Sequence, residues 1–235
     1  MKIANNIAVL PIVREDAGTL HPVLAWDENN LVLIDAGLPG QTDIIVEAIA
    51  AAGHHATQLT HIILTHQDWD HVGCVRDLQK RAPSVKVVAH VLEAPYIDGR
   101  TLPIKLAKRL QEYETMTAEQ RAGLDNWRNT YKNVPIRLDM QVNDGDVLPI
   151  CRGIEIVHTP GHTPGHICLY FRKSCIMVIG DAAGIKDGEF TDFKPAFIHD
   201  IDEARVSIEK MKQYPMSGVV AYHSGYVKMK DSVNN

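Results

Sequence analysis

The feature that most constrains this chain is a cluster of polar side chains directly after a short apolar run. Residues 61–64 are largely apolar, and residues 65–71 read THQDWDH. A β-branched apolar run of this length predicts a buried strand, and α/β proteins build their sites where such strands end. Four of the side chains that follow can bind a metal ion, so the sequence predicts a metal centre here: His66, Asp68, Asp70 and His71.

A further candidate ligand lies in a loop rich in proline and glycine. Residues 159–166 read TPGHTPGH and lie between the strand-like runs 154–157 and 167–171. Because proline and glycine restrict the conformation of such a turn, a ligand on it is held in place before a metal ion arrives. The pattern therefore adds His162 to the candidate ligands.

Two more strand-like runs end at candidate ligands. Residues 175–179 lead into Gly180-Asp181, and residues 219–222 lead into His223. A carboxylate has two oxygens and can bridge two ions, and the full set is large enough to surround a pair of ions. Two divalent ions would lower the pKa of a shared water, and the resulting metal-bound hydroxide would cleave an ester, thioester, lactone or related bond.

The order of these motifs resembles the metallo-β-lactamase superfamily. Members of that family carry H-x-H-x-D-H, a later histidine in a T-P-G-H-T loop, a bridging aspartate and a last histidine. The resemblance spans nearly the whole chain and includes residues 33–37, LIDAG, which are similar to the family's early strand-Asp-x-Gly turn. It implies an α/β fold, an αββα sandwich of two mixed β-sheets flanked by helices, in which Asp35 supports the ligands from behind.

Carried over position by position, the resemblance implies two metal sites that share one ligand. The first ion would be held by His66, Asp68 and His162, the second by Asp70, His71 and His223, and Asp181 would bridge them. Asp70 would also act in catalysis, because its spare oxygen can accept a proton from the attacking water and return it to the leaving group.

One position departs from the family pattern. Asp68 stands where the family has its second histidine, which gives H-x-D-x-D-H and adds negative charge and a harder donor at the first ion. We expect two divalent ions, zinc first, with manganese or iron as alternatives. The departure also supports a competing activity, that of an iron-dependent oxygen-using enzyme like the persulfide dioxygenases of the same superfamily. A third alternative is a metal-binding sensor or structural protein without turnover.

Length and composition predict a single domain over residues 1–235. The chain is 45% hydrophobic, enough to bury a large core, and the candidate ligands come from both of its halves. A formal charge of -5 argues against a general nucleic-acid binder, and no segment approaches the ~18 apolar residues of a membrane span. We therefore expect a small-molecule substrate. The pattern does not address the oligomeric state.

The cysteines and the first residues bear on location. Residues 1–11 lack a secretory pattern and predict a first strand. The four cysteines are dispersed, without a C-x-x-C motif, so we expect no structural disulfide and a cytoplasmic location.

Between the predicted strands, a long polar segment at about 93–144 predicts a helical insertion, with helices over 105–113 and 118–131. We expect it to form a lid over the site, because long insertions beside a site are commonly functional. The alternative is a solvated helical decoration. No particular substrate-binding residue is predicted, although Trp127, Tyr131 and Tyr96 are candidates for lid contacts.

Local patterns predict the remaining elements. Residues 23–26 and 31–34 predict a hairpin, and residues 42–52 and 70–81 predict helices. His158 and His166, which lie close to His162 in sequence, are expected to have structural or supporting roles.

The choice among subfamilies follows from what surrounds the ligands. Asp181 is followed by Ala-Ala-Gly and not by the tyrosine of acyl-homoserine lactonases, and only about a dozen residues follow His223, fewer than the glutathione-binding domain of glyoxalase II enzymes needs. A generic small-molecule hydrolase remains as the expectation.

Overall fold

Short apolar runs become strands in this chain, and the polar stretches between them become helices and turns. The computed structural model describes residues 1–14, 18–132, 136–191 and 197–229. The strands are, in chain order, β1 (Lys2–Ala4), β2 (Ile7–Val9), β3 (Ile12–Arg14), β4 (Gly18–Leu20), β5 (Val23–Trp26), β6 (Leu31–Ile34), β7 (His61–Ile63), β8 (Lys86–His90), β9 (Met140–Val142), β10 (Val147–Leu148), β11 (Ile154–His158), β12 (Ile167–Phe171), β13 (Ile176–Gly180), β14 (Gly184–Lys186), β15 (Glu189–Thr191), β16 (Gly218–Ala221) and β17 (Gly225–Lys228).

The helices lie between these strands. They are α1 (Thr42–Ala51), α2 (Trp69–Val72), α3 (Val75–Arg81), α4 (Ala94–Ile97), α5 (Ile104–Gln111), α6 (Ala118–Lys132) and α7 (Ile201–Lys212), with short 3₁₀ turns at Ala56–Gln58 and Tyr113–Thr115. None of the helices in the described part of the chain is both long enough and apolar enough to cross a membrane.

Most of these strands form two mixed sheets, whereas β3 with β4 and β14 with β15 form separate two-stranded sheets. The first has the order β1-β2-β5-β6-β7-β8-β9, and the second has the order β10-β11-β12-β13-β16-β17. In the first sheet, β6, β7, β8 and β9 run parallel, so the ends of β6 and β7 lie at one edge. In the second sheet, β13 and β16 run parallel and bring their ends together in the same way. The ligand candidates follow the ends of β7, β13 and β16, and one more lies in the β11–β12 loop.

Side chains alternate between two hydrophobic layers along each strand. In β6, Val32 and Ile34 pack between the two sheets, whereas Leu31 and Leu33 pack on the other face, against helix residues such as Ile45 of α1. The outer face of the second sheet packs in turn against α7. The order of layers is therefore helix, sheet, sheet, helix, which confirms the predicted αββα sandwich.

Two local expectations were wrong in detail. Residues 1–11 form two short antiparallel strands, β1 and β2, because the chain turns at residues 5–6. The helix expected over 70–81 is divided into α2 and α3. The amides of Gly73 and Cys74 donate to carbonyls of residues 36–37 instead of continuing the helix, so the loop after β6 takes two of the donors that an unbroken helix would use.

The described part of the segment expected to be a helical insertion contains three α-helices, α4 to α6. Helices α5 and α6 enclose a small apolar cluster of their own, formed by Leu106, Met116 and Leu124. The expected range also covered residues 140–142, which form β9 at the edge of the first sheet and pair with β8.

Candidate metal centre

The first group of ligand candidates forms around the carboxylate of Asp68. Its Oδ2 lies 2.9 Å from Nε2 of His162 and 3.2 Å from Nε2 of His66. The Nε2 atom of His162 also lies 3.6 Å from Oδ2 of Asp181. The loops after β7, between β11 and β12, and after β13 thus bring these four ligand atoms within 4.8 Å of one another.

The second group forms beside the first turn of α2. Nε2 of His223 lies 3.3 Å from Oδ2 of Asp70, and Nε2 of His71 lies 3.9 Å from the same oxygen. Asp181 stands between the two groups, because its Oδ1 lies 3.5 Å from His71 and its Oδ2 lies 3.3 Å from His223. All seven predicted ligand candidates therefore meet in one place, although residues 66 and 223 are far apart in sequence.

Three atoms of this centre are buried and make no well-aligned hydrogen bond with the described residues, although carboxylate oxygens lie 3.2 Å from His66 and 3.5 Å from His71. They are Nε2 of His66, Nε2 of His71 and Oδ1 of Asp181. A buried polar atom left unpaired costs about 1–3 kcal/mol, so folded proteins rarely retain three together unless something else satisfies them. Imidazole nitrogens and carboxylate oxygens are the donors that divalent zinc, iron and manganese accept. The residues present thus fit divalent metal ions.

Asp35 lies behind the centre and not among the ligand atoms. Its Oδ2 lies 2.9 Å from Nδ1 of His71, the nitrogen that faces away from the other candidates. The backbone amide and the hydroxyl of Thr65 donate to the same carboxylate, and that hydroxyl lies 3.0 Å from Nδ1 of His66. Contacts on the far nitrogens orient both rings with Nε2 toward the centre.

His166 and His158 support the loop that carries His162. His166 accepts a hydrogen bond from the backbone amide of Asp181 at Nε2, and its Nδ1 lies 2.9 Å from Oγ1 of Thr159. Both ring nitrogens of His166 are therefore occupied by protein contacts. His158 bonds to the carbonyl of Pro164 at 2.9 Å.

Tyr222 is a residue of this site that sequence reasoning missed. Its hydroxyl donates to the carbonyl of Asp70 at 2.6 Å and accepts from the amide of Gly37 at 3.1 Å. Its ring packs on that of His71, with centroids 3.9 Å apart. Tyr222 directly precedes His223, and that adjacency is the only sequence signal that could have found it.

Glu93 was also missed. It is fully buried, and its carboxylate accepts from the amide and the side chain of Gln67 at 2.9 Å each and from the amide of Gly165 at 2.7 Å. Burial raises the pKa of Glu93, and the hydrogen bonds from Thr163 and Gln67 oppose that rise. Glu93 thereby joins the loop of His66 to the loop of His162. A lone glutamate after a buried strand offered no pattern to indicate this.

The pKa shifts at the centre leave His66 and Asp181 ready to bind a metal ion, whereas His71 carries a proton. Burial lowers the pKa of His66 to about 4, with His71 adding to the effect, so His66 is neutral at neutral pH. Burial would raise the pKa of Asp181, but the neighbouring His71 holds it well below its ordinary range. For His71, burial would lower the pKa, but the carboxylates of Asp35, Asp181 and Asp70 together hold it well above the ordinary value. A metal ion has to displace that proton before His71 can bind it.

A cavity of about 740 Å³ opens onto both groups of ligand candidates. Its other lining residues include Lys105 from α5, Phe197 and Ser224. Of the lid contacts suggested by the sequence, Trp127 and Tyr96 do not line it, and Tyr131 lies where the structure describes the backbone alone. The volume suits a small molecule.

Comparisons with known proteins agree with this architecture. The family model of the metallo-beta-lactamase superfamily matches residues 21–223. The probable metallo-hydrolase YflN of Bacillus subtilis is 30% identical over 164 residues, which cover 68% of this chain and 58% of that protein. The acyl-coenzyme A thioesterase MBLAC2 of Gallus gallus is 27% identical over 160 residues, which cover 67% of this chain and 52% of that protein. The chain thus spans little more than half the length of these relatives.

Among solved structures, a metallo-beta-lactamase family protein from Thermus thermophilus superposes with a TM-score of 0.74 at 17% identity, over 97% of this chain and 76% of that one. This likeness concerns the fold, and the family match covers every ligand candidate from His66 to His223. By the family match and the fold together, the chain is a member of the metallo-beta-lactamase superfamily.

Proposed function

We propose that this protein is a metal-dependent hydrolase that cleaves a small-molecule ester, thioester or lactone at a dinuclear centre. The observation that carries the proposal is the meeting of two ligand groups at Asp181, with three buried ligand atoms unpaired, at the base of a cavity. His66, Asp68 and His162 would hold one ion, Asp70, His71 and His223 the other, and Asp181 would contact both.

When bound, two divalent ions would lower the pKa of a water molecule toward neutrality and polarise the substrate's carbonyl oxygen. Asp70 is partly exposed to the cavity, and its Oδ2 is the oxygen nearest His223. We assign it the transfer of the proton from the attacking water to the leaving group, which needs a carboxylate within reach of both. Asp35 holds the ring of His71 in the orientation that this arrangement requires.

Thioesters are favoured within this substrate class by two relatives. One is the thioesterase MBLAC2, and the other is a hydroxyacylglutathione hydrolase of a Chelativorans species, 32% identical over 85 residues that cover 35% of this chain. We therefore propose that the protein acts on a small-molecule substrate. We further propose that residues 1–235 act as one domain, in which α5 of the helical insertion contributes Lys105 to the cavity wall, and that the protein works in the cytoplasm.

Asp68 supports a second candidate function. Its carboxylate gives the first group two carboxylates, Asp68 and Asp181, beside two histidines, and harder donors favour iron or manganese over zinc. An iron-dependent enzyme that uses dioxygen, similar to persulfide dioxygenases, is the alternative.

The experiment is elemental analysis of protein purified without added metal, combined with an anaerobic panel of esters, thioesters and lactones. Two zinc or manganese ions per chain with turnover would support the hydrolase. Iron with oxygen uptake and no hydrolysis would replace it by the alternative, and no metal would overturn the centre. Asp70→Ala and His162→Ala should each abolish turnover in folded protein, whereas the exposed His55→Ala should retain it. Near-normal turnover in either of the first two variants would contradict the assigned site.

A further inference from the structure

Among the described residues, one cationic side chain reaches the centre from outside the ligand set. Lys105, on α5, contacts the carboxylate of Asp68 with its Nζ, which also lies 3.2 Å from Nε2 of His162. The same ammonium lies 5.7 Å from the centroid of the Phe197 ring. Its side chain is 33% exposed and lines the cavity, so it is open to a ligand.

The position of Lys105 is fixed by the loop after β7, called here the metal loop, which carries His66 and Asp68. The amide of Ile104, the first residue of α5, donates to Oε1 of Gln67 at 2.8 Å. Gln67 stands between the ligand candidates His66 and Asp68, and its side-chain nitrogen donates to the buried Glu93. The buried side chain of Gln67 thus ties the start of α5 to the metal loop, so the backbone of Lys105 has a fixed position relative to the ligand candidates.

Lys105 and a metal ion compete for one atom. Nε2 of a neutral histidine has a single lone pair, which either accepts from the ammonium of Lys105 or binds a metal ion. Once His162 and Asp68 ligate metal, the ammonium loses its contact with His162 and its attraction to the Asp68 carboxylate weakens, while its backbone stays beside the cavity. A long flexible side chain in this position is then free to meet a substrate.

The charges of the residues that line the cavity indicate what charge a substrate should carry. Among its lining residues in the described part of the chain, Lys105 is the one lysine or arginine, and the three carboxylates there are the ligand candidates Asp68, Asp70 and Asp181. Two divalent ions would carry four positive charges, which these three carboxylates and a metal-bound hydroxide would balance. The lysine adds one excess positive charge to one side of the reacting centre, and Phe197 adds an exposed apolar surface beside it.

We propose that Lys105 binds a carboxylate on the substrate, so that the enzyme prefers esters or thioesters that carry an anionic group. This inference rests on the proposed hydrolytic function. Lys105 acts as a specificity residue, because it holds the substrate by a part that does not react. A hydrogen bond between charged groups contributes on the order of ten- to a hundredfold in binding, so its loss should be measurable.

The test compares 4-acetoxybenzoate with neutral 4-acetoxybenzamide, using metal-loaded protein. In Lys105→Ala, the preference for the anionic ester, expressed as the ratio of the two kcat/KM values, should fall about tenfold through KM, and Lys105→Arg should restore part of it. Lys108→Ala is the matched control, since Lys108 lies exposed on the same helix. An unchanged ratio in Lys105→Ala would overturn the proposal.

A binding measurement separates this proposal from the hydrolytic one. Calorimetry with benzoate and benzamide on the same metal-loaded proteins needs no turnover. If the protein cleaves neither ester, it is not a hydrolase of these esters. The calorimetry still tests whether Lys105 binds a carboxylate. Benzoate binding that is lost in Lys105→Ala and kept in Lys108→Ala would support the assignment. Equal binding in both variants, or no benzoate binding by the unaltered protein, would refute it.

Discussion

The hydroxyl of Tyr222 offers a direct test of how the second ligand group is held. In Tyr222→Phe, the amide of Gly37 loses its acceptor and the carbonyl of Asp70 loses its donor, while the ring keeps its packing on His71. Tyr222 is 2% exposed, so water cannot replace the hydroxyl without rearrangement. Each buried group left unpaired costs about 1–3 kcal/mol, and relief from burying the hydroxyl offsets part of that, so we expect a loss of about 2–3 kcal/mol.

Urea denaturation of chelator-treated protein measures this loss without interference from metal binding. With a slope of about 2–3 kcal/mol/M, the midpoint should fall by about 1 M. Because the hydroxyl holds the backbone of Asp70, the affinity of the second site should also fall, by about 10- to 100-fold in competition with a chromophoric chelator.

The control is Tyr226→Phe, the same change on β17, where the hydroxyl has no hydrogen bond to any described residue. It should shift stability by less than about 0.5 kcal/mol. Equal midpoints for Tyr222→Phe and the unaltered protein would show that the bridge from Gly37 to Asp70 does not hold the site.

Further predictions concern the loops, the backbone and the histidines around the centre. Glu93→Gln should lower the free energy of unfolding of chelator-treated protein by about 2 kcal/mol, because a side-chain amide has only one oxygen to accept from the donors on both sides. The exposed Glu112→Gln should change it by less than about 0.5 kcal/mol in the same denaturation assay. Gly73→Ala should lower the melting temperature, since an added Cβ would lie 2.3 Å from a backbone nitrogen, while Gly123→Ala, where nothing lies within 4 Å, should raise it slightly; the opposite order would contradict the packing. Burial lowers the pKa of His90 to about 4, so the unfolded chain binds this proton first as the pH falls below about 6.5, and stability is lost down to about pH 4. In denaturation curves measured at pH 7 and at pH 4, His90→Asn should therefore lose about 2–3 kcal/mol less stability between the two pH values than the unaltered protein does. An equal loss in both proteins would refute this prediction. Finally, chelator treatment should lower the melting temperature, and added zinc or manganese should restore it; a melting temperature indifferent to both would contradict a metal centre.

Much of the fold follows from local sequence. The runs that become β7, β11, β12, β13 and β16 are apolar and end in turn residues, so both their existence and their approximate bounds were predictable. The division of the helix at Gly73 was not predictable, because it depends on carbonyls of residues 36–37 that approach from another part of the chain.

The ligand candidates were visible in the sequence because metal chemistry restricts residue type, and strand ends restrict where such residues can stand. Their supporting residues were not visible. Glu93, Tyr222 and Lys105 are common residue types without a motif, and each reaches the centre through contacts with residues at least 26 positions away. Sequence alone thus predicted the set of ligand candidates and roughly which strands present them. Only the tertiary structure decided which side chains hold those atoms in place and which charged side chain lines the cavity, because those depend on distances between segments that local patterns do not encode.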